Sequence, residues 1–397
     1  MMNKQLFPLV LIYCLLSCTK INDTDGNPLI PVPLEDDNTL PPSTTEIIRI
    51  IKNVNDYWQS NNIQGYASWD YAAYHTGNMA AYKVTVEEKY KTYSLEWAER
   101  NQWIGATSDN KSEWKYHAGD AGNNVLFADW QACFQIYIDL YNLDKDERKV
   151  ARAKEVMSYQ IGTTNKDYWW WVDALYMSMP VMAKLYKLTK NIEYLNKLHS
   201  YFLYTKDLLY DSQNSLFYRD SKYLFPNHKT KSGLKDFWSR GNGWAFAALA
   251  RVLQELPENS SYGNEYLQVY KDMAKTLAAF QQKEGYWNRS ILDSTQSVGY
   301  ETSGTAFFIY GFLWGINNGI LDKSYISVIN RGWKYLVNIA LQDNGIVGYV
   351  QPAGENAISG QQLDPNSTAN FGVGAFLLAA SEMYKFSKKY YEKIDNQ

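Results

Sequence analysis

Apolar residues recur at helical spacing through most of this chain, and strand-like alternation is scarce and short. Two segments show the i, i+3, i+4, i+7 stripe of an amphipathic helix clearly. They are Cys133, Ile136, Tyr137 and Leu140, and Val373, Phe376, Leu377 and Ala380. The pattern predicts an all-α chain whose first periodic helix begins at about Glu46.

Polar breaks interrupt the helical pattern roughly every 45 to 70 residues, which is the length of a helical hairpin and too long for tetratricopeptide units. Each break is followed by a helix start that carries aromatic residues. The breaks are Val84–Lys89, Leu143–Glu147, Lys190–Tyr194, Pro257–Tyr266 and Asn317–Tyr325. Six hairpins in one domain spanning residues 46–397 predict an (α/α)6 barrel, in which the loops at one end would build a pocket.

The pattern of the first 45 residues predicts a targeting segment followed by a tether. A short apolar run from Leu6 to Leu16 follows Lys4 and ends in Leu-Leu-Ser-Cys18, which resembles a bacterial lipobox. Residues 1–18 are therefore expected to be a lipoprotein signal peptide, with Cys18 as the lipid anchor. An ordinary secretory signal is the alternative. Residues 19–45, rich in Asn, Asp, Thr and Pro, predict a disordered tether. We expect an exported protein held at a bacterial membrane, periplasmic or at the cell surface, by that lipid alone.

The composition of the chain limits which ligands, cofactors and reaction types are expected. A net charge of −3 gives no reason to expect nucleic acid as a partner, so local cations must hold any anionic ligand. Only four His occur, with no HExxH motif or Cys/His cluster, so neither a metal nor another cofactor is expected. No G-x-S-x-G elbow is present. Aromatic residues make up 16% of the chain, which suits carbohydrate binding as well as core packing. No particular oligomeric state is predicted.

The segment F-W-S-R-G-N-G-W, residues 237–244, concentrates groups that bind sugars. Its indoles can stack on sugar rings, and its guanidinium can pair with a carboxylate. The predicted ligand-binding residues here are Trp238, Arg240, Asn242 and Trp244. The alternative is an aromatic helix start with a buried structural Arg.

Asp173 is the strongest acid–base candidate among the carboxylates. It follows Trp169-Trp170-Trp171-Val172 and begins an apolar helix. A carboxyl group desolvated by indole rings has a raised pKa and can hold a proton near neutral pH. The alternative is a helix N-cap, a common role of Asp at this position.

Several motifs together resemble glycoside hydrolase family 105, the unsaturated rhamnogalacturonyl hydrolases. Besides F-W-S-R-G-N-G-W, they are W-W-W-V-D-A-L-Y-M (169–177), L-F-Y-R-D-S (216–221), E-T-S-G-T-A-F-F (301–308), W-G-I-N-N-G (314–319) and G-Y-V-Q-P (348–352). They run in order from about Trp69 to about Tyr384. The resemblance also implies the (α/α)6 fold.

The resemblance places the general acid/base at Asp173, with Trp171 and Met177 lining the same pocket. It implies a second acid at Asp129, although Trp130 stands where many relatives carry another acid, and a helix cap is the alternative role. Asp220 lies where some relatives have a substrate-binding His, and it is expected to bind substrate. Tyr74 is expected to line the pocket.

The implied activity is removal of a 4,5-unsaturated uronic acid from lyase-generated acidic oligosaccharides by hydration of the C4=C5 bond. Galacturonyl units from rhamnogalacturonan fragments are the leading substrate. A second hypothesis is an unsaturated glucuronyl hydrolase acting on glycosaminoglycan, ulvan or gellan fragments. A third is an inactive glycan-binding lipoprotein. Asp129 and Asp173 could also form the carboxylate pair of an ordinary glycosidase.

Overall fold

A computed structural model describes residues 39–106, 110–114 and 124–395, all within one compact unit that spans residues 32–397. Cys18, the signal segment and most of the tether lie outside the described residues, so the lipid anchor stays a prediction. The first helix begins at Thr44, two residues before the expected domain start. None of the helices described combines the length and apolar composition that crossing a membrane requires.

Twelve α-helices in the described part of the chain alternate between an outer and an inner ring. The outer helices are α1 (Thr44–Asn61), α3 (Glu88–Arg100), α5 (Arg148–Ile161), α7 (Glu193–Leu209), α9 (Gly263–Ala279) and α11 (Ile326–Tyr335). The inner helices are α2 (Trp69–Thr85), α4 (Cys133–Leu143), α6 (Ala174–Thr189), α8 (Ser239–Leu253), α10 (Thr302–Asn317) and α12 (Asn370–Asp395). Each inner helix packs on the next, and α12 closes the ring on α2. The predicted (α/α)6 barrel is confirmed.

Burial explains which helices lie inside. Helix α10 carries no charged residue and is buried from Thr302 to Gly315, as an element surrounded by other helices must be. The ring closes through a close approach of α2 and α12. A Cβ at Gly77 would lie 2.2 Å from the carbonyl oxygen of Gly374, and a Cβ at Gly374 would lie 2.2 Å from that of Ala73. Glycine is therefore required on both helices at this contact.

Two kinds of connection give the barrel two different ends. Short turns join each inner helix to the next outer helix, and they coincide with the five predicted breaks. Except between α1 and α2, longer segments lead back to the next inner helix, and they carry most of the quoted motifs. One of them contains the two-stranded hairpin β1 (Tyr210–Asp211) and β2 (Leu216–Phe217). We call the end where the long segments enter the ring the inner N-terminal end, and the opposite one the inner C-terminal end.

Candidate active site

A cavity of about 320 Å³ opens at the inner N-terminal end. It brings together six of the predicted site residues, contributed by the segments before α4, α6 and α8 and by the first turns of α6 and α8. They are Asp129, Trp171, Asp173, Met177, Trp238 and Arg240. Four further residues complete the wall: Trp69, Arg219, Gly354 and Glu355.

Asp173 occupies the N-cap position of α6, but its side chain makes no capping hydrogen bond. The strand-like segment before it is fixed from the side, since the Val172 N–H donates to the Arg219 carbonyl at 2.9 Å. The Oδ2 atom of Asp173 is buried and has no hydrogen-bond partner among the described residues. A buried, unpaired carboxyl oxygen on a cavity wall does not fit the capping role.

Burial raises the pKa of Asp173, while the positive charges of Arg219 and Arg240 oppose that rise. The nearest of these charges is not in hydrogen-bonding contact, since Arg219 Nε lies 3.7 Å from Asp173 Oδ2. Asp173 therefore keeps its proton to a higher pH than an exposed aspartate does.

Asp129 lies in the short 3-10 turn Ala128–Trp130 and caps no α-helix, because the N-cap of α4 is Ala132. Burial, followed by the negative charge of Asp173, raises the pKa of Asp129 to about 8. Two carboxyl groups that repel each other in a desolvated cavity titrate as a pair. The pair Asp129–Asp173 therefore retains one proton through neutral pH.

Arg219 links the cavity wall to two further carboxylates. Its Nη1 donates to Asp220 and, at 2.9 Å, to Glu355 Oε2. Its Nε atom is buried without a hydrogen-bond partner in the described structure. Asp220 is fully buried behind Arg219 and also accepts from the Lys222 N–H, so it does not reach the cavity. In the structure Asp220 holds Arg219, and its expected contact with substrate stays a prediction.

Arg240 stands in the first turn of α8 and is almost completely buried. Its Nη1 donates to the Gln351 carbonyl at 2.7 Å, and its Nη2 to the Pro352 carbonyl at 2.8 Å. The guanidinium lies 4.4 Å from the ring centre of Trp238. Burial lowers the pKa of Arg240 to about 10, so the group stays cationic at neutral pH. Arg240 therefore combines the two predicted roles, since it fixes a loop and lines the cavity.

Three residues expected at the ligand lie in the core instead. Asn242 is fully buried and bonds the Phe217 backbone with both ends of its amide. Trp244 is one helical turn below Arg240, with its ring 4.4 Å from that of Phe307. Tyr74 points toward α1, where its hydroxyl donates to Asn55 at 2.7 Å. The side chains of all three are used in packing, and none lines the cavity.

The site residues predicted from the sequence did not include Trp69, Arg219 or Glu355. Trp69 is the first residue of α2 and stacks on Phe371 at 5.2 Å. A Trp beside a Ser at a helix start carried a usable signal, although the order here, Ser68-Trp69, is the reverse of that in F-W-S-R-G-N-G-W. Glu355 comes from the long segment before α12, where no local pattern marks it. No group of three or more metal-ligating side chains occurs among the described residues.

The comparisons with known proteins cover nearly all of the described chain. A profile described as Glycosyl Hydrolase Family 88 matches residues 44–387. An unsaturated 3S-rhamnoglycuronyl hydrolase of Formosa agariphila is 31% identical over 333 residues, which cover 81% of this chain and 85% of that protein.

Two solved structures are more similar. A glycosyl hydrolase family 88 protein from Bacteroides vulgatus is 54% identical, with a TM-score of 0.84, covering 87% of this chain and 100% of that one. A protein described as a polysaccharide lyase is 55% identical, with the same TM-score of 0.84, covering 88% of this chain and 98% of that one.

Proposed function

The chain belongs to glycosyl hydrolase family 88, and from this premise we propose that it removes 4,5-unsaturated uronic acids from the non-reducing ends of lyase-generated oligosaccharides. It is a glycoside hydrolase. One observation carries the proposal: Asp173, whose buried Oδ2 has no hydrogen-bond partner among the described residues, lines a cavity that is also lined by the guanidinium-bearing residues Arg219 and Arg240. This arrangement supplies a protonated acid beside cations that can receive a substrate carboxylate.

The proposed reaction needs one proton donor and one water. Asp173 protonates C4 of the unsaturated ring, and the resulting carboxylate accepts a proton from the water that attacks C5. The product carries a hydroxyl on C5 and is a hemiketal, which opens by breaking the C5–O5 bond. The new C1 hemiacetal then releases the next sugar as its alcohol. One acid serves both transfers, so no covalent glycosyl intermediate forms.

The surroundings of Asp173 suit an anionic sugar. Trp69, Trp171 and Trp238 line the cavity and offer rings for stacking. The amino-terminal ends of α6 and α8 border it, and helix N-termini favour anions. We propose that Arg219 and Arg240 receive the uronate carboxylate. Asp129 shares the proton that the pair retains at neutral pH.

The substrate is defined by the next sugar more than by the unsaturated one. Galacturonate and glucuronate differ only at C4, and C4 becomes trigonal when a lyase forms the double bond. The two hypotheses therefore differ in the anomeric linkage and the sugar that is released. Rhamnogalacturonan fragments place rhamnose there, and the Formosa relative is named for a rhamnoglycuronyl substrate. We propose an unsaturated uronyl–rhamnose linkage, with rhamnogalacturonan fragments as the leading source and glucuronyl fragments as the alternative.

Ultraviolet absorbance separates hydrolase, lyase and binding protein in one assay, because the conjugated C=C–carboxylate absorbs. The protein is mixed with lyase digests of rhamnogalacturonan, ulvan, gellan and glycosaminoglycans, and separately with the intact polymers. We expect absorbance to fall with a digest, and fastest with rhamnogalacturonan fragments. A rise with an intact polymer would identify a lyase, in line with the name of one solved relative. Binding without any change would identify an inactive glycan-binding protein.

We also propose that the protein is exported and lipid-anchored through Cys18, which rests on the lipobox-like Leu-Leu-Ser-Cys alone. Cys18→Ala should move the protein from the membrane fraction to the soluble fraction while the purified protein keeps full activity. Equal membrane association of the variant would contradict the anchor.

A further inference from the structure

A second and larger cavity, of about 520 Å³, lies at the inner C-terminal end. Its walls come from the later turns of α2, α4, α6 and α8, with α10 and α12 completing the ring. It shares no lining residue with the cavity that holds Asp173. Nothing in the proposed reaction uses it.

Positive charge predominates on the walls of this cavity. Three acidic side chains line it, Asp139, Glu255 and Glu382, against six basic ones. The basic residues are Lys83, Lys145, Lys184, Lys187, Arg251 and Lys385. Counted by formal charge, six basic against three acidic residues leave the lining with an excess of three positive charges.

The acidic side chains are already engaged. Asp139 accepts from Lys184 at 2.6 Å, and Glu255 accepts from Lys187 at 2.9 Å. Glu382 pairs with Lys385 at 2.6 Å. These contacts leave Lys83, Lys145 and Arg251 as the cations without a carboxylate of their own at close range. Lys83 reaches Asp139 only at 3.7 Å, and that carboxylate is held more closely by Lys184.

Of the two buried cations on this cavity wall, Lys184 is paired with Asp139, whereas Arg251 forms no ion pair with a carboxylate in the described part of the chain. It is 6% exposed, and its Nε donates to the Gln135 side chain at 3.0 Å. Among the described residues, no carboxylate lies within ion-pairing distance of Arg251. A buried guanidinium without a counter-ion is costly, and its planar fork suits an oxyanion.

The helix ends account for only part of this charge. Lys83, Lys187 and Arg251 stand in the last turns of α2, α6 and α8, where the carbonyl ends favour cations. Asp139 would raise the pKa of Lys83, but burial and the positive charges of Lys184 and Arg251 outweigh it, so that pKa is lowered. Lys83 therefore lies near two other cations, Lys184 and Arg251, and an anion placed among the three would be attracted to all of them.

We propose that this cavity is a second binding site, specific for a small oxyanion held between Arg251 and Lys83. The chemistry is that of a sulfate, phosphate or carboxylate group accepting hydrogen bonds from a guanidinium and an ammonium. The source is either a free inorganic ion or the acid group of a sugar. The site goes beyond the proposed function, because it is separate from the catalytic cavity.

Equilibrium dialysis with radiolabelled sulfate tests the proposal on the full chain, at constant ionic strength set with chloride. We expect one sulfate per chain with a Kd on the order of 1 mM. Unlabelled phosphate should displace it. Displacement by free galacturonate or glucuronate at similar concentration would identify the sugar carboxylate as a second source, and failure to displace would restrict the site to inorganic oxyanions.

Lys83→Gln is the principal variant, because its side chain is half exposed and the change spares the core. Binding should weaken about tenfold or more, as a lost charge-assisted hydrogen bond predicts. Arg251→Gln should weaken it further, and Lys83→Gln keeps the test valid if that variant fails to fold. The matched control is Lys206→Gln on outer helix α7, which removes a lysine paired with Glu265. Asp173→Asn should bind sulfate as the wild type does.

Three results would overturn the site. They are no saturable sulfate binding, equal weakening in Lys206→Gln, and loss of binding in Asp173→Asn. The last would place the anion in the catalytic cavity.

Discussion

The two ends of the inner ring hold buried aspartates in opposite electrostatic settings. At the inner N-terminal end, burial raises the pKa values of Asp129 and Asp173, and the negative charge of Asp173 raises that of Asp129 further. At the inner C-terminal end, burial alone would raise the pKa of Asp139, but Lys184 and Lys83 outweigh it and lower that pKa. Burial is common to both ends, so it does not decide the outcome. The distance to the nearest cation, and what else that cation binds, decides it.

The distances between cations and carboxylates explain the difference between the two ends. Lys184 touches Asp139 at 2.6 Å and is itself buried, so the aspartate is held in its charged form. Arg219 stays 3.7 Å from Asp173, because Asp220 and Glu355 occupy its Nη1. Arg240 is similarly engaged by two backbone carbonyls. A cation that is already engaged leaves a neighbouring acid protonated, which is the state that proton donation requires.

Replacing the same residue type at the two ends gives the largest expected contrast. Asp173→Asn removes the donor proton while preserving shape, so kcat should fall about 10²- to 10⁴-fold. Thermal stability should stay level or rise, since the lost oxygen has no hydrogen-bond partner among the described residues. Steady-state kinetics and melting curves measure the two effects. Retention of more than about a tenth of kcat would make Asp173 structural and Asp129 the leading acid.

Asp139→Asn should have the opposite effects, lowering stability while leaving kcat unchanged. It leaves the buried ammonium of Lys184 with only Glu255, at 3.4 Å, so the free energy of unfolding should drop by about 3–5 kcal/mol. The kcat should be unchanged wherever the variant remains folded. Denaturant titration combined with activity at low temperature measures both. A fall in kcat without loss of stability would show that the two ends are coupled.

The division of the barrel into an end with short turns and an end with motif-bearing segments could be predicted from the sequence. The five polar breaks are the short turns at the inner C-terminal end, because a break between two periodic segments needs only local information. The motif-bearing segments lead into inner helices, as expected. Asp129 and Asp173, which the resemblance assigned, and Arg240, which the chemistry of its motif assigned, all line one cavity.

The errors have a common physical reason. Residues 240, 242 and 244 are neighbours in sequence, but helical geometry turns Asn242 to the far side of α8 and places Trp244 one turn deeper than Arg240. A sequence motif does not show how its helix is rotated about its own axis. It therefore does not reveal which of its residues face a ligand. Glu355 meets Arg219 across 136 positions, which only the tertiary fold sets. The cation-rich cavity likewise collects residues from all six inner helices.

Arg240→Lys tests whether a cation at the inner N-terminal end both binds substrate and supports the fold. Loss of the fork should lower kcat/KM about ten- to hundred-fold, as a lost charged hydrogen bond predicts. Stability should also fall by about 1–3 kcal/mol, because the Gln351 and Pro352 carbonyls lose donors. The matched control is Arg289→Lys, another buried guanidinium that donates to a loop carbonyl but lies off the cavity wall. It should lose stability alone. Equal kinetics in the two variants would remove Arg240 from substrate binding.

The last expected effect is a pH dependence of stability at Asp129. Because its pKa is raised from 3.8 to about 8, the folded state binds its proton more tightly than the unfolded chain does. Stability from this group is therefore greatest below the unfolded pKa and declines as the pH rises toward about 8. Asp129→Asn removes that decline. The melting temperature of the variant should therefore increase relative to that of the wild type as the pH rises between roughly pH 5 and pH 9.

Asp139→Asn provides the opposite control for that measurement. Its lowered pKa means that the carboxylate stabilises the fold over the whole of this pH range, so the variant should melt below the wild type throughout. A melting difference for Asp129→Asn that stays constant with pH would mean that Asp129 titrates like an exposed aspartate. The proton on the Asp129–Asp173 pair would then be absent at neutral pH. Because the proposed reaction begins with protonation of C4, such a result would leave that step without its donor.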